Sequence, residues 1–364
     1  MNLKRAELSA CDNAASFLQS GFWGAFKARF GWEALSFKVS WKGCEVNSPL
    51  TVQPLLVLRR SMAAGFPGGR GPSLAYIPWG PELPSCYAND SAGELRGTAI
   101  KELALALRDF LPGDTVFIRF DPPWYSEGAD TAAPSLPPPF IRSGADIQPP
   151  DTVLIDLAQS MDLIFEQMKP KWRYNARLAL KKGVTVRRAA AEETGVFYKL
   201  LKETALRDGI AIHNLEYYQT LISDSSSLIS HSQTHVNLYL AEHEGDVLAG
   251  IVTLFRGREG VYLYGASSDK KRNLMAPYAL QVKAMEDAKA YGCGVYDLFG
   301  IPPDNDSSHP MAGLYQFKTG FGGKIIHRPG SWDYPCRPFI YSLFRKAETL
   351  RKNLRTIKKK IVRR

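Results

Sequence analysis

An α+β fold in two domains follows from three features of the sequence. These are its length of 364 residues, an alternation of strand-like and helix-like segments, and a Pro-, Gly-, Ala- and Ser-rich stretch over residues 122–151 that separates two such series. A chain this long exceeds one ordinary domain and suffices for two, each with its own core. Hydrophobic residues at 45% and charged residues at 23% exclude a disordered chain.

In the first series, "LSFKV", "LLVLRR", "SLAYIP" and "DTVFIRFD" read as short strands, with "TAIKELALALRDFL" as a helix between the last two. The stretch 122–151 reads as a long loop leading to a boundary. The second series begins with the helical "AEETGVFYKLLKETALRDG". Three strands follow in "VNLYLAEHEGDVLAGIVTLFRGREGVYLYGAS", turning at "EGD" and "GREG". The helix "APYALQVKAMEDAKAYG" ends at Gly292, and "GVYDLFG" is a further buried strand. No internal repeat is visible.

Cys11, Cys44, Cys86, Cys293 and Cys336 are scattered, odd in number and never spaced as CxxC, which suits a reducing compartment better than a disulfide framework. They form no metal-site pattern. No segment offers the roughly 18 uninterrupted apolar residues of a membrane span, so the expected location is the cytoplasm. The net charge of +10 is concentrated at one end: residues 345–364 hold ten Lys or Arg and one acid, Glu348. Leu343, Phe344, Ala347, Leu350, Leu354, Ile357 and Ile361 recur there at helical spacing, which predicts an amphipathic helix with a basic face that includes Arg355, Lys358, Lys359 and Lys360. Such a face attracts phosphates, either of a nucleic acid such as RNA or of an anionic membrane surface as a peripheral contact, and the plainer alternative is a solvated helix.

Two stretches carry candidate chemistry. "GLYQFKTGFGGK", residues 313–324, sets Lys318 after Phe317 among Gly313, Gly320, Gly322 and Gly323. Glycines at that density imply positive φ or a close approach to the main chain, and a lone cation there suits an anion. A hairpin or bulge with a solvent-facing lysine is the alternative. In "KPKWRYNARLALKKG", Arg173, Arg177 and Lys181 fall at i, i+4 and i+8, one basic stripe if the segment is helical after Pro170. Guanidinium groups in a row suit phosphate or carboxylate, and an ordinary solvated face is the alternative.

A strand meander, then a helix, then a strand is the order of a Gcn5-related (GNAT-like) acyltransferase, with a mixed, mostly antiparallel sheet that splays to admit an acyl donor. Most such enzymes cradle coenzyme A on a glycine-containing loop at the start of the helix. The matching stretch here, "SSDKKRNLMAPYALQ", has no glycine, so a different activated donor is expected.

In their order, "FLQSGFWGAFKARFGWE", "YIPWGPE", "IQPPDTVLIDL", "MKPKWRYNARLALKKGV", "YLYGASS", "YDLFGI" and "GLYQFKTGFGG" resemble blocks of the Fem (FemABX) aminoacyltransferases, compact type without a coiled-coil arm. The resemblance covers nearly the whole chain. It implies two GNAT-like domains, residues 1–155 completed by 330–364 on the muropeptide side and residues 156–329 on the aminoacyl-tRNA side. It also implies transfer of an amino acid from aminoacyl-tRNA to an amino group on the stem peptide of a UDP-linked or lipid-linked muropeptide, with no metal or organic cofactor. Lys318 is then the candidate oxyanion stabiliser and Phe317 its positioning neighbour, and the glycines would admit a substrate chain. Arg173, Asn175 and Arg177 match the family's Arg-Tyr-Asn-x-Arg pattern, touching substrate or bracing the domain junction. Lys27, Tyr76 and Glu82 are acceptor-binding candidates in the first half, and His213, Tyr217 and Tyr264 are pocket candidates in the second. Another acyl donor or acceptor (acyl-CoA, a lipid, a protein N-terminus) and a non-catalytic tRNA-binding protein are the alternative functions.

Overall fold

The structure, a computed structural model, describes residues 1–41, 51–62, 71–87, 94–127, 135–223 and 234–362, with side chains to residue 350. The chain forms two compact units, Met1–Tyr125 with Ala133–Gln148 and Arg328–Arg364, and Ser126–Ala132 with Pro149–His327.

The first unit is built on one sheet. Its order is β1 (Asn2–Ala6), β2 (Glu33–Trp41), β3 (Thr51–Ser61), β4 (Ser73–Ile77), β5 (Thr115–Phe120), β15 (Trp332–Pro335) and β7 (Ile141–Arg142). All neighbours are antiparallel except β4 and β5, which run parallel because helix α2 (Glu94–Arg108) crosses between them. Ile100, Leu103, Ala104 and Leu107 lie at i, i+3, i+4 and i+7 on α2, and all four are buried in the core of this unit. Helix α1 (Gly21–Ala28) is capped by Ser20, whose Oγ accepts the Trp23 N–H at 3.1 Å.

The second unit repeats this plan. Its sheet runs β6 (Ser126–Glu127), β14 (Lys324–His327), β8 (Asp151–Asp156), β13 (Val295–Asp297), β12 (Glu259–Ser267), β11 (Asp246–Arg256), β10 (Thr234–His243) and β9 (Thr185–Ala189). Again one pair is parallel, β12 with β13, joined through α7 (Ala276–Tyr291), which ends at Gly292 with φ 104°. The β10–β11 turn takes positive φ at Glu244 and Gly245, the hairpin conformation read from "EGD". Helices α3 (Met161–Gln167), α4 (Pro170–Lys181), α5 (Thr194–Asp208), α6 (Leu215–Ser223) and α8 (Ala312–Thr319) complete the unit.

The α+β class read from the sequence is the observed one, and four details differ. β8 belongs to the second sheet, so the chain changes unit before residue 155: β8 pairs with β13 and β14. The stretch 122–151 contains the short strands β6 and β7, held by pairing with strands remote in sequence, which no local pattern reveals. Residues 312–319 form a helix where a bulge or hairpin was the alternative. Cys86 is disulfide-bonded, while Cys11, Cys293 and Cys336 are free thiols; pairing follows proximity in space, which sequence spacing does not report. Cys44 lies outside the described residues.

Helix α9 (Pro338–Val362) closes the chain against β5, with Phe117 packed on Tyr341 and Phe344. The side chains of Arg355, Lys358, Lys359 and Lys360 lie outside the described residues. No helix among the described residues is long and apolar enough to cross a membrane. Among them, no cluster of His, Cys, Asp or Glu could hold a metal ion.

Candidate active site

The parallel pair in the second unit makes an opening. β12 and β13 pair only over Glu259–Val261 and Val295–Asp297; β12 then continues along β11 to Ser267 while β13 ends. Beyond β13 the chain turns through Phe299 and Gly300, both left-handed with φ of 52° and 60°. Asp297 holds that turn, its Oδ1 accepting from the Phe299 N–H at 2.7 Å and from Thr152 Oγ1 at 2.5 Å.

Lys318, on the last turn of α8, fills the gap. Nζ donates to the carbonyls of Phe299 and of Gly300, the latter at 2.9 Å, and lies 5.1 Å from the centre of the Tyr262 ring on β12. The residue is only 6% exposed, and burial outweighs the attraction of Asp297, bringing its pKa down to about 7. An ammonium has three N–H groups, and these two carbonyls account for two of them. Phe317 packs between Tyr278 and Phe321, with centroid distances of 5.3 and 5.1 Å, and its carbonyl accepts the Trp172 indole N–H at 2.8 Å.

The glycines around Lys318 serve the protein's own packing, a correction to the expectation that they admit a substrate chain. A Cβ on Gly320 would lie 2.1 Å from the Trp172 ring. Gly322 and Gly323 have φ of 83° and 85°, and side chains there would meet the carbonyls of Gln167 at 2.8 Å and Leu154 at 2.4 Å. These contacts seat α8 against α4 and β8. Gly313 alone faces open space.

The basic stripe of α4 is helical as expected, yet its members point to different tasks. Arg173 Nη1 donates to the carbonyls of Glu166 and Met168 at 2.7 and 2.8 Å, bracing the elbow between α3 and α4. Arg177 is exposed and lies over the Phe165 ring. Asn175 is buried beside Tyr278, and its Nδ2 has no hydrogen-bond partner among the described residues.

Three further candidates of this unit come together. The His213 ring stacks on Tyr217 with centroids 3.8 Å apart, and the hydroxyls of Tyr217 and Tyr264 are 3.3 Å apart. Tyr218, which sequence reasoning missed, joins them edge-on to Tyr264 at 5.2 Å. Asp297, Tyr262 and Tyr278 were also missed; the one signal was an acid closing the apolar strand in "GVYDLFG".

In the first unit the candidates are tied into the structure. Tyr76 is 2% exposed and donates its hydroxyl to Asp121, which also accepts from Ser331 Oγ. That bond holds the Tyr76 hydroxyl inside the core of the first unit. Glu82 accepts the Ala15 N–H at 2.6 Å. Lys27 lies 5.6 and 5.9 Å from the ring centres of Trp23 and Trp32, and burial, helped by Arg60, lowers its pKa to about 8.

The sequence pattern of the FemAB family matches residues 141–242 and 229–349, more than half of the chain. Among characterised relatives, the lipid II:glycine glycyltransferase of Staphylococcus saprophyticus is 25% identical over 255 residues, covering 54% of this chain and 61% of that protein. The protein of the same name from Staphylococcus aureus strain USA300 is 26% identical over 260 residues, covering 54% and 61%. The chain thus spans about three fifths of the length of these relatives. Among solved structures, FemX superposes with a TM-score of 0.70 at 20% identity, covering 95% of this chain and all of that one. The chain thus shares the fold of FemX, two α+β units each built on one mixed sheet, and it belongs to the FemAB family.

Proposed function

We propose that this protein is an aminoacyltransferase that moves an amino acid from aminoacyl-tRNA to an amino group on the stem peptide of a peptidoglycan precursor. The observation that carries the reading is Lys318, a desolvated cation with two N–H groups on main-chain carbonyls, set where two parallel strands part. The acceptor amine attacks the ester carbonyl, forming the C–N bond. The carbonyl oxygen takes up negative charge beside the third N–H of Lys318. On collapse the C–O bond to the ribose breaks, and the proton shed by the amine ends on the departing hydroxyl. An aminoacyl ester is already activated, so this scheme calls on no further cofactor. Family membership and the name of the staphylococcal relatives favour a lipid-linked acceptor and glycine as the first amino acid to test. In this reading His213, Tyr217 and Tyr264 line the donor side, while Lys27 offers the first unit's positive charge to the precursor's phosphates.

The test is a transfer assay with radiolabelled glycyl-, alanyl- and seryl-tRNA and both lipid-linked and UDP-linked muropeptides. Label should enter a muropeptide, and Lys318→Met, which keeps the side chain's length, should lower the rate by about 10² to 10³. Transfer by Lys318→Met at the wild-type rate would remove Lys318 from the chemistry. No transfer from any charged tRNA by the folded protein would end the acceptor assignment.

A further inference from the structure

Helix α9 has two apolar faces, and among the described residues only one of them is packed against the fold. Its inward face carries Tyr341, which stacks on Phe117 and donates its hydroxyl to Asp333 at 2.9 Å, together with Phe344. At about 100° per residue, Phe339, Leu343 and Leu350 fall on the opposite side within about 40° of one another, with Lys346 among them. They are 78%, 52% and 62% exposed. A strip of large apolar side chains aligned along one helix differs from the scattered exposed residues of an ordinary surface.

The charges around the strip are sorted. Arg345 and Lys346, with Ser342 and Thr349, line a groove of about 320 Å³ beside it. The single acid of the segment, Glu348, lies on the inward side, close enough to Arg119 to help raise its pKa. Further along, the sequence continues the apolar spacing with Leu354, Ile357 and Ile361 and adds eight Lys or Arg between positions 351 and 364.

We propose that α9 is a docking helix for the surface of an anionic phospholipid bilayer. Phe339, Leu343 and Leu350 enter the boundary between headgroups and acyl chains, and Arg345 and Lys346 receive a lipid phosphate in the groove. The basic residues alone would serve RNA equally well. The apolar strip decides between them, because a polyanion in water buries none of it whereas a bilayer buries all of it. The helix lies on the membrane and does not cross it.

The experiment is co-sedimentation of the full chain with phosphatidylcholine vesicles, with and without phosphatidylglycerol. These vesicles hold neither donor nor acceptor, so the result is independent of the transfer reading. Binding should require phosphatidylglycerol. It should fall about tenfold or more in Phe339→Ser/Leu343→Ser/Leu350→Ser, and about tenfold in Arg345→Glu/Lys346→Glu. All five positions are at the surface, and an unchanged thermal midpoint would certify the fold. Vesicle binding unaffected by the triple Ser variant would overturn the proposal, as would uncharged tRNA binding to this helix with no vesicle binding at all.

Discussion

The two units solve the same topological problem differently. Each has an antiparallel meander that ends in a parallel pair made by a helical crossover, β4–α2–β5 in one and β12–α7–β13 in the other. In the first unit the pair is zipped along the whole of β4, from Ser73 to Ile77, and the buried charges there are matched. Arg119 forms a two-bond pair with Asp333 at 2.7 and 2.8 Å, and Asp121 accepts from Tyr76 and Ser331. In the second unit the pair stops after three residues, and Lys318 enters the gap with main-chain carbonyls as its hydrogen-bond partners. A closed pair with a satisfied ionic network braces a fold; an open pair with a desolvated cation can do chemistry.

The sharpest way to break this contrast is to remove one buried polar group from each unit. Lys318→Met should lose about 10² to 10³ in transfer rate, about 3 to 4 kcal/mol of transition-state stabilisation, with a thermal midpoint at or above wild type. Tyr76→Phe should leave the rate per folded molecule unchanged and cost about 1 to 3 kcal/mol of stability in urea, because Asp121 loses a donor. A large rate loss in Tyr76→Phe would give the first unit a share in the chemistry.

Next in size is Gly323→Ala. Its φ of 85° and a Cβ only 2.4 Å from the Leu154 carbonyl leave no side chain that fits without backbone movement. About 2 to 4 kcal/mol of stability should be lost, read from the urea midpoint. Gly313→Ala, which meets nothing within 4 Å, should change stability little.

Two of the buried ionisable groups, Lys318 and Asp121, should also give pH slopes of opposite sign. Lys318 titrates at about 7 in the folded protein against an ordinary value of 10.5, so the unfolded chain holds the extra proton and stability rises with pH across that window. Burial raises Asp121 to about 6 from an ordinary 3.8, so the folded chain holds the extra proton and stability falls as pH rises from about 4 to 6. Unfolding free energies of wild type minus Lys318→Met should climb between pH 7 and 10; those of wild type minus Asp121→Asn should drop between pH 4 and 6. The changes should be on the order of 3 to 4 kcal/mol for Lys318 and about 2 kcal/mol for Asp121. The same protonation state governs rate: as an oxyanion donor Lys318 must be charged, so its share of the transfer rate should decline above about pH 7, and a rise there would make it a proton acceptor instead.

The smallest effect is expected at Glu82→Gln. The variant keeps an acceptor for Ala15 N–H and should cost about 1 kcal/mol or less.

By itself the sequence determined what depends on neighbours along the chain. The helix period of 98–111, the turn at "EGD", Pro170 opening α4, Gly292 ending α7 and the absence of glycine from "SSDKKRNLMAPYALQ" are local matters of backbone φ, capping and burial pattern. The ordered blocks that resemble one family are likewise linear, and they gave Lys318, already marked by its flanking glycines, an expected role. Tertiary structure decided everything that depends on distant partners. The repeat of one plan in two units is invisible in the sequence because similar topology is filled by different side chains. The disulfide at Cys86, the strands within 122–151 and the transfer of β8 to the second sheet each rest on a partner far away in the chain. The same holds for Tyr76, an acceptor-binding candidate in the sequence whose buried bond to Asp121 only the fold reveals, and for Gly320, whose bareness is explained by the Trp172 ring. A local pattern fixes how a segment can fold, whereas desolvation, close approach and ion pairing belong to the space between segments.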